Sequence, residues 1–373
     1  MWKNIKGQRR VINILKGIYK SGRIPHSFIF HGIEGVGKDA VAIEFARLLN
    51  CDRPDAERGA CDECRSCKQM SLLNSASFKF ITPLPSPKKE DDESESQSFT
   101  ESDLDILKTE LKNKSLDPYH KIDIPKANSI KIESIRQIKK EIYLTGERGK
   151  KKVYIISQAD MMRREAANSF LKVLEEPPGD ALIILTTAKI NSLLPTIIGR
   201  CQKLKFDSIG RGDLEEYVLE NHPDTPEEEI LLLVNLSNGS LQTLKNILNC
   251  NFLELRDKGI DHIRAIVANK YIQISRIITS IVSTKDRELV KQYLYLMQLW
   301  FRDIIIKKSQ NDERIINKDR DENITNFVTR LNCDEYEIIN LLEMFISDID
   351  KNVNLELLLY NLSYKLKPMI KSI

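Results

Sequence analysis

The sequence has no long apolar run and no apolar leader, and these two absences exclude two classes of protein. No stretch approaches the ~20 consecutive apolar residues that a helix needs to span a bilayer. The opening MWKNIKGQRR contains no apolar segment of the kind that a secretory signal requires. The net charge is only +3 over 373 residues. So small a positive charge is weak support for nucleic-acid binding by the chain alone. We expect a cytoplasmic globular protein with two or three domains.

The stretch HGIEGVGKDA almost matches a P-loop but lacks the hydroxyl residue at its end. The pattern is G-x-x-x-x-G-K followed by Ser or Thr. Here Gly32, Gly37 and Lys38 fit, and Asp39 replaces the hydroxyl residue. The flanking SFIFHG predicts a strand and DAVAIEFARLLN a helix, which is the context that a P-loop requires. The candidate nucleotide-binding residues are therefore Gly32, Gly35, Gly37, Lys38 and Asp39.

The chemistry of that loop is damaged at two places. In a working P-loop the hydroxyl residue binds Mg²⁺, whereas Asp39 offers an oxygen ligand but brings a negative charge beside the phosphates. An acidic pair is also missing after the strand KKVYIIS, where Ser157 and Gln158 stand, and neither side chain is a general base near neutral pH. Asp160 follows, and we expect it to lie too far round the turn to replace the pair. The sequence predicts descent from an ATPase site without hydrolysis, and leaves binding of ATP and Mg²⁺ open.

Four cysteines crowd into the segment 51–67 with the spacing C-x9-C-x2-C-x2-C. They are Cys51, Cys61, Cys64 and Cys67. Four thiolates suit tetrahedral Zn²⁺ with no position left for water, so we expect a structural zinc module. Disulfides are disfavoured in a reducing cytosol, and iron–sulfur clusters usually show other spacings, but both stay as alternatives.

The rest of the pattern predicts an α/β domain over residues 1–206, followed by helices. Near-continuous apolar strands such as KKVYIIS and ALIILTTA alternate with helices such as REAANSFLKVLE, which indicates a parallel sheet covered on both faces. An acidic insertion interrupts this domain at 83–125; its first part, 83–100, is rich in Pro, Ser and acidic residues, and we interpret it as exposed or disordered. The run RELVKQYLYLMQLWFRDIII is apolar nearly all round and is expected in a helical core or an oligomer interface.

These pieces, in this order, resemble the AAA+ clamp-loader subunits of bacterial DNA polymerase III. The resemblance rests on IKGQRRVINILKGIYKSGRIPHSFIFHGIEGVGK, the four-cysteine module, ISQADMMRREAANSFLKVLEEPP, LIILTTA and LLPTIIGRCQKLKF. It covers residues 1–206, and AANSFLKVLEEPP is its most distinctive run; the helical remainder fits only by composition and length. The resemblance implies an AAA+ P-loop domain with a parallel sheet and a zinc module, a helical lid at 207–248 and a helical collar at 249–373 that serves oligomerisation.

Within the family, the damaged ATP site points to the delta-prime branch. GRC at 199–201 resembles a Ser-Arg-Cys motif, whose arginine would reach in trans into a neighbouring subunit's ATP site as an arginine finger. Gly199 replaces the serine and would loosen the turn while leaving the charge of Arg200 intact; the alternative is an ordinary surface arginine. Thr186 and Thr187 stand where the family has a polar sensor, or are only structural.

The partners implied by the resemblance are gamma/tau ATPase and delta subunits in a hetero-oligomeric ring that places a sliding clamp on primed DNA. Any DNA contact would then run through phosphates and shape. Two rival hypotheses remain: an active gamma/tau-like ATPase, and a zinc-bearing DNA-binding module that needs no ATPase partner. The residues Ser157 and Gln158 speak against the first, and the low net charge speaks against the second.

Overall fold

The computed structural model divides the described part of the chain into two compact units, one ending at Asn246 and the other beginning at Ile247. The structure describes residues 2–75, 77–85, 101–125, 127–144, 149–249, 252–284, 286–349, 351 and 353–372.

The first unit is built on a six-stranded sheet of order β2-β3-β4-β5-β1-β6. The strands are β1 (Ser27–His31), β2 (Asn74–Ser75), β3 (Phe78–Ile81), β4 (Lys152–Ile156), β5 (Ala181–Thr187) and β6 (Gln202–Lys205). All neighbours pair in parallel except β2, which runs antiparallel to β3. The predicted parallel sheet is therefore confirmed, whereas β2 and β3 were not predicted.

Burial explains why two of these strands read as continuous apolar runs. Every residue of β4 and of β5 is buried, because helices cover both faces of the sheet. Parallel strands also bring their carboxyl ends to one edge, so the loops that follow β1, β4 and β5 lie side by side. This edge carries the P-loop, Ser157 and Thr187.

The helices of the first unit largely follow the predicted segments. Their bounds are α1 (Arg9–Ser21), α2 (Lys38–Asn50), α3 (Arg65–Met70), α4 (Glu101–Leu116), α5 (Ile132–Ile142), α6 (Arg164–Glu175), α7 (Pro195–Ile198), α8 (Arg211–Asn221), α9 (Glu227–Ser237) and α10 (Leu241–Asn249), whose end passes into the second unit. Gly22 ends α1 in the left-handed region at φ 68°, and Pro177 and Pro178 follow α6 at once.

The predicted acidic insertion is only partly described. Its expected exposed or disordered part is 83–100, of which 86–100 lies outside the described residues. Where the chain is described again, it forms the sixteen-residue helix α4 and a turn that continues to residue 125. That helix was not predicted.

In its described residues the second unit is helical apart from one small two-stranded sheet. Its helices are α11 (Phe252–Val267), α12 (Tyr271–Val282), α13 (Arg287–Lys308), α14 (Asp321–Arg330), α15 (Glu335–Ile349) and α16 (Leu355–Met369). The strands β7 (Leu331–Cys333) and β8 (Ile370–Ser372) pair antiparallel and were not predicted. Helix α13 buries side chains on nearly all its faces, which confirms the expected core helix. Within the described ranges, none of the helices is long and apolar enough to cross a membrane.

Candidate functional site

The P-loop lies between β1 and the first residue of α2, as predicted. Gly32, Gly35 and Gly37 all adopt positive φ, at 152°, 76° and 94°. A Cβ at Gly32 would collide with the carbonyl oxygen of Phe206, which follows β6. A Cβ at Gly35 would collide with Ser240, which precedes α10. The glycines therefore serve a tight turn that is closely packed on its own unit.

Lys38 turns its ammonium group back onto the P-loop. Its Nζ donates to the carbonyl oxygens of Gly32 at 2.8 Å and Ile33 at 2.6 Å, and the side chain is buried. Burial lowers the pKa of Lys38, and nearby carboxylates offset this only in part. The lysine thus stabilises the P-loop turn through hydrogen bonds to two of its carbonyl groups.

Asp39 is the centre of a polar network at the strand ends. Its carboxylate accepts hydrogen bonds from Ser157 Oγ at 2.9 Å and from Thr186 Oγ1 at 2.6 Å. Lys114 Nζ lies 3.1 Å from Asp39 Oδ2. Burial opposes the charge of Asp39, but the Lys114 ammonium and the hydroxyl donors outweigh it and lower the pKa of that carboxyl. The residue in the hydroxyl position is therefore an ionised carboxylate with three partners.

The structure separates the other acidic candidate from this network. Asp160 Oδ1 accepts from Thr187 Oγ1 at 2.6 Å, and Thr187 Oγ1 in turn accepts from the Lys189 backbone N–H at 2.9 Å. Gln158 begins the turn after β4 in the left-handed region at φ 53°. The two threonines predicted at a sensor position thus bind two different aspartates.

Lys114 was missed by the sequence analysis, although it contacts Asp39 directly. It lies near the end of α4, inside the segment interpreted as an acidic insertion. The side chain is 4% exposed, which is rare for a lysine unless it is paired. A single lysine on a charge-rich helix gives no sequence signal for a partner so distant along the chain.

Arg200 lies in the turn between α7 and β6, with its side chain partly exposed. Its Nη1 donates to the Thr196 carbonyl oxygen at 2.9 Å, and its Nη2 to Glu175 Oε1 at 2.6 Å. The preceding Gly199 has φ −69°, which any residue can adopt. The backbone carbonyl of Arg200 accepts from Ser27 Oγ at 2.9 Å, so the turn is fastened to β1.

The four predicted cysteine ligands meet at one point. The sulfur atoms of Cys51, Cys61, Cys64 and Cys67 all lie within 4.8 Å of one another. Zn–S bonds of about 2.3 Å in a tetrahedron need sulfur separations of about 3.8 Å, and Cys61 and Cys67 are 4.0 Å apart. The cluster could hold a metal ion.

The backbone around the cluster favours thiolates. The N–H groups of Cys64 and Cys67 donate to the sulfurs of Cys61 and Cys64, both at 3.4 Å, and the N–H of Cys61 donates to Cys51 Sγ at 3.3 Å. The backbone N–H groups of Cys64 and Glu63 lower the pKa of Cys61 to about 6, whereas burial raises the pKa of Cys51 and Cys67. A four-sulfur donor set with backbone N–H support fits Zn²⁺.

Comparison with known proteins gives one consistent group. A family profile described as DNA polymerase III, delta subunit, matches residues 7–210. The DNA polymerase III subunit delta' of Bacillus subtilis (strain 168) is 28% identical over 324 residues, 85% of this chain and 83% of that protein. The delta' subunit of Pseudomonas aeruginosa is 27% identical over 242 residues, 65% of this chain and 61% of that protein. The tau subunit of Escherichia coli (strain K12) is 27% identical over 245 residues, 64% of this chain and 31% of that protein.

Two solved structures are similar over nearly the whole chain at low identity. A DNA polymerase III gamma subunit-related protein from Thermotoga maritima has a TM-score of 0.42 at 16% identity, covering 96% of this chain and 99% of that chain. The Bacillus subtilis DNA clamp loader delta protein has a TM-score of 0.32 at 10% identity, with the same two coverages.

Proposed function

Since the chain belongs to the DNA polymerase III delta-subunit family, we propose that it acts as a delta-prime-like clamp-loader subunit. In this role it assists ATP-driven loading of a sliding clamp onto primed DNA. It joins gamma/tau ATPase and delta subunits in a hetero-oligomeric ring in the cytoplasm, with residues 207–248 as a lid and 249–373 as a collar. The observation that carries the proposal is the state of Asp39, which is already bound by Lys114, Ser157 and Thr186.

This state argues against ATP hydrolysis by the chain itself. A P-loop motor needs a free metal ligand after the lysine and a carboxylate after β4 to position the attacking water. Here the ligand position is an engaged carboxylate, and Ser157 and Gln158 follow β4. The rival hypothesis of an active gamma/tau-like ATPase needs both groups and is disfavoured.

Arg200 is the group that we propose for work at a neighbouring subunit. Its guanidinium is held near the surface by Glu175 and the Thr196 carbonyl, and a γ-phosphate could replace the carboxylate as its partner. A guanidinium aimed at a transferring phosphoryl group stabilises the developing charge. The reaction would take place on ATP held by the neighbour, with the chain supplying only this cation and a rigid frame.

The cysteine cluster is proposed to hold one structural Zn²⁺. The four sulfurs would be its ligands, and the ion would fix the loop between α2 and α3, because Cys51 directly follows α2 and Cys67 lies in α3. The rival hypothesis of a stand-alone zinc-bearing DNA-binding module predicts tight, steeply salt-dependent DNA binding by the isolated chain.

The test is ATP turnover by a reconstituted complex that contains wild-type or Arg200→Ala chain. We expect the isolated chain to be inactive and the Arg200→Ala complex to lose the one site that Arg200 serves, where an arginine finger contributes about 10³-fold or more. Arg211→Ala is the matched control, since Arg211 forms an ordinary surface ion pair with Glu215. Unchanged turnover in an assembled Arg200→Ala complex would refute the trans role.

A further inference from the structure

The acidic insertion lies against the carboxyl end of the P-loop. Three of its side chains make these contacts: Lys114 at the end of α4, and Tyr119 and Lys121 in the turn that follows. Lys114 and Tyr119 are almost fully buried, at 4% and 6% exposed. Burial of a lysine and a tyrosine in an insertion is costly unless their polar atoms are bonded, and these are.

Lys114 supplies a cation at the position where a P-loop protein holds its metal ion. Its ammonium lies 3.1 Å from the carboxylate of Asp39, which occupies the place of the metal-binding hydroxyl. The same Nζ donates to the His120 carbonyl oxygen at 2.7 Å and lies 5.9 Å from the centre of the Phe80 ring. The charge that Mg²⁺ would supply is therefore provided by the chain.

Tyr119 covers the loop itself. A Cβ added to Gly37 would come within 2.9 Å of the Tyr119 ring, so the ring packs directly on this glycine. The phenol oxygen accepts from the backbone N–H of Lys6 at 3.0 Å. The ring thus extends from the P-loop to the segment before α1.

Two further ion pairs fix this turn to both sides of the site. Both carboxylate oxygens of Asp117 accept from Lys245 Nζ, each at 2.8 Å, and Lys245 belongs to α10. Lys121 Nζ lies 2.7 Å from Glu34 Oε1, within the P-loop. The turn is therefore bonded to the P-loop and to the helix that packs on it.

We propose that residues 114–121 are a built-in occupant of the nucleotide site, which keeps Mg·ATP and Mg·ADP out of this subunit. Lys114 takes the place of the metal ion, and Tyr119 closes the surface of the P-loop. This inference concerns the isolated chain and does not depend on the trans role of Arg200. Only its consequence for a ring, one position held in a nucleotide-free form, rests on the proposed function.

Amine labelling of the folded chain, read by peptide mass spectrometry, tests the occupancy directly. Lys112 lies on the same helix with an exposed side chain and serves as the internal control. We expect Lys112 to be acylated at least tenfold faster than Lys114, with no change at Lys114 on addition of 5 mM Mg·ATP. Equal labelling rates, or faster labelling of Lys114 with Mg·ATP, would overturn the proposal.

Nucleotide binding gives the second test, with fluorescent mant-ATP and Mg²⁺ as the probe. Wild type should show no saturable binding, whereas the double variant Lys114→Ala/Tyr119→Ala should bind at least tenfold more tightly. The control Lys112→Ala/Tyr143→Ala removes an exposed lysine and an exposed tyrosine and should behave as wild type. Tight wild-type binding, or a folded Lys114→Ala/Tyr119→Ala variant that gains nothing, contradicts the proposal; should that variant fail to fold, the labelling decides.

Discussion

The P-loop and the turn that carries Arg200 lie in the same unit, but the charged side chains of the P-loop are paired inside the unit whereas Arg200 is paired at its surface. At the P-loop, Lys38 is bonded to its own turn and Asp39 to Lys114, so the charged groups serve the chain itself. At the other turn, the Arg200 guanidinium is held at the surface by Glu175. Under the proposed function, this difference would let a subunit lose the half of an ATPase site that binds nucleotide, here turned inward, and keep the half that acts on a neighbour, here turned outward.

The largest effect on stability is expected from the four cysteines. They differ from both the P-loop and the Arg200 turn because their proposed partner is a metal ion and not a group of a protein chain. Cys67→Ser should abolish zinc binding and cost several kcal/mol, since structural zinc contributes about 10–16 kcal/mol in zinc-finger peptides. Hydrogen exchange should rise more in α2, which Cys51 directly follows, than in the Arg200 turn. Metal analysis checks the premise, with Cys333→Ser as a control that keeps the ion.

The second-largest effect on stability is expected at the P-loop, from the pair of Lys114 and Asp39. Lys114→Met leaves the Asp39 carboxylate without its cation, and we expect a loss of about 2–4 kcal/mol, below the usual range for a fully buried pair because Asp39 is partly accessible. Adding Asp39→Asn should recover part of this loss in urea unfolding. Additive effects of the two substitutions would show that Lys114 and Asp39 are not coupled.

These two predictions differ in how far the sequence alone could lead to them. The cysteine spacing and the strand–turn–helix pattern predicted both sites, because the ligands and the P-loop residues are close along the chain. Lys114 and Tyr119 could not be predicted, since the contact of α4 with the P-loop is long-range and no local periodicity encodes it. The strands β7 and β8 were missed for another reason: three residues are too few for an alternating pattern.

The stability of the second unit should depend on pH, because a histidine is buried there in its neutral form. His262 contacts Tyr293 Oη at 2.6 Å and Ser363 Oγ at 2.8 Å, and burial lowers its pKa to about 4. The unfolded chain binds this proton near pH 6.5, so stability falls as the pH drops from 6.5 toward 4. Between pH 7 and 5 the loss should be about 2 kcal/mol. His262→Gln should flatten that part of the curve, and an unchanged slope would exclude His262 as its source.

The smallest effect on stability is expected at the turn that carries Arg200. Arg200→Ala removes a partly exposed ion pair with Glu175, and such pairs contribute about 0–1 kcal/mol. We therefore expect a melting temperature close to wild type, with Glu175→Gln similar. A loss of several kcal/mol in the free energy of unfolding would show that Arg200 is a structural residue, as Lys114 is at the P-loop.

The most direct test of the proposed function is ATP turnover by the assembled complex with two variants of this chain side by side. Lys38→Ala removes the P-loop lysine, and Arg200→Ala removes the outward guanidinium. We predict that a folded, assembled Lys38→Ala chain leaves turnover unchanged, while Arg200→Ala lowers it by the share of one site. The reverse result, with turnover lost in the Lys38→Ala complex and kept in the Arg200→Ala complex, would mean that this subunit uses its own nucleotide and would contradict the proposed function.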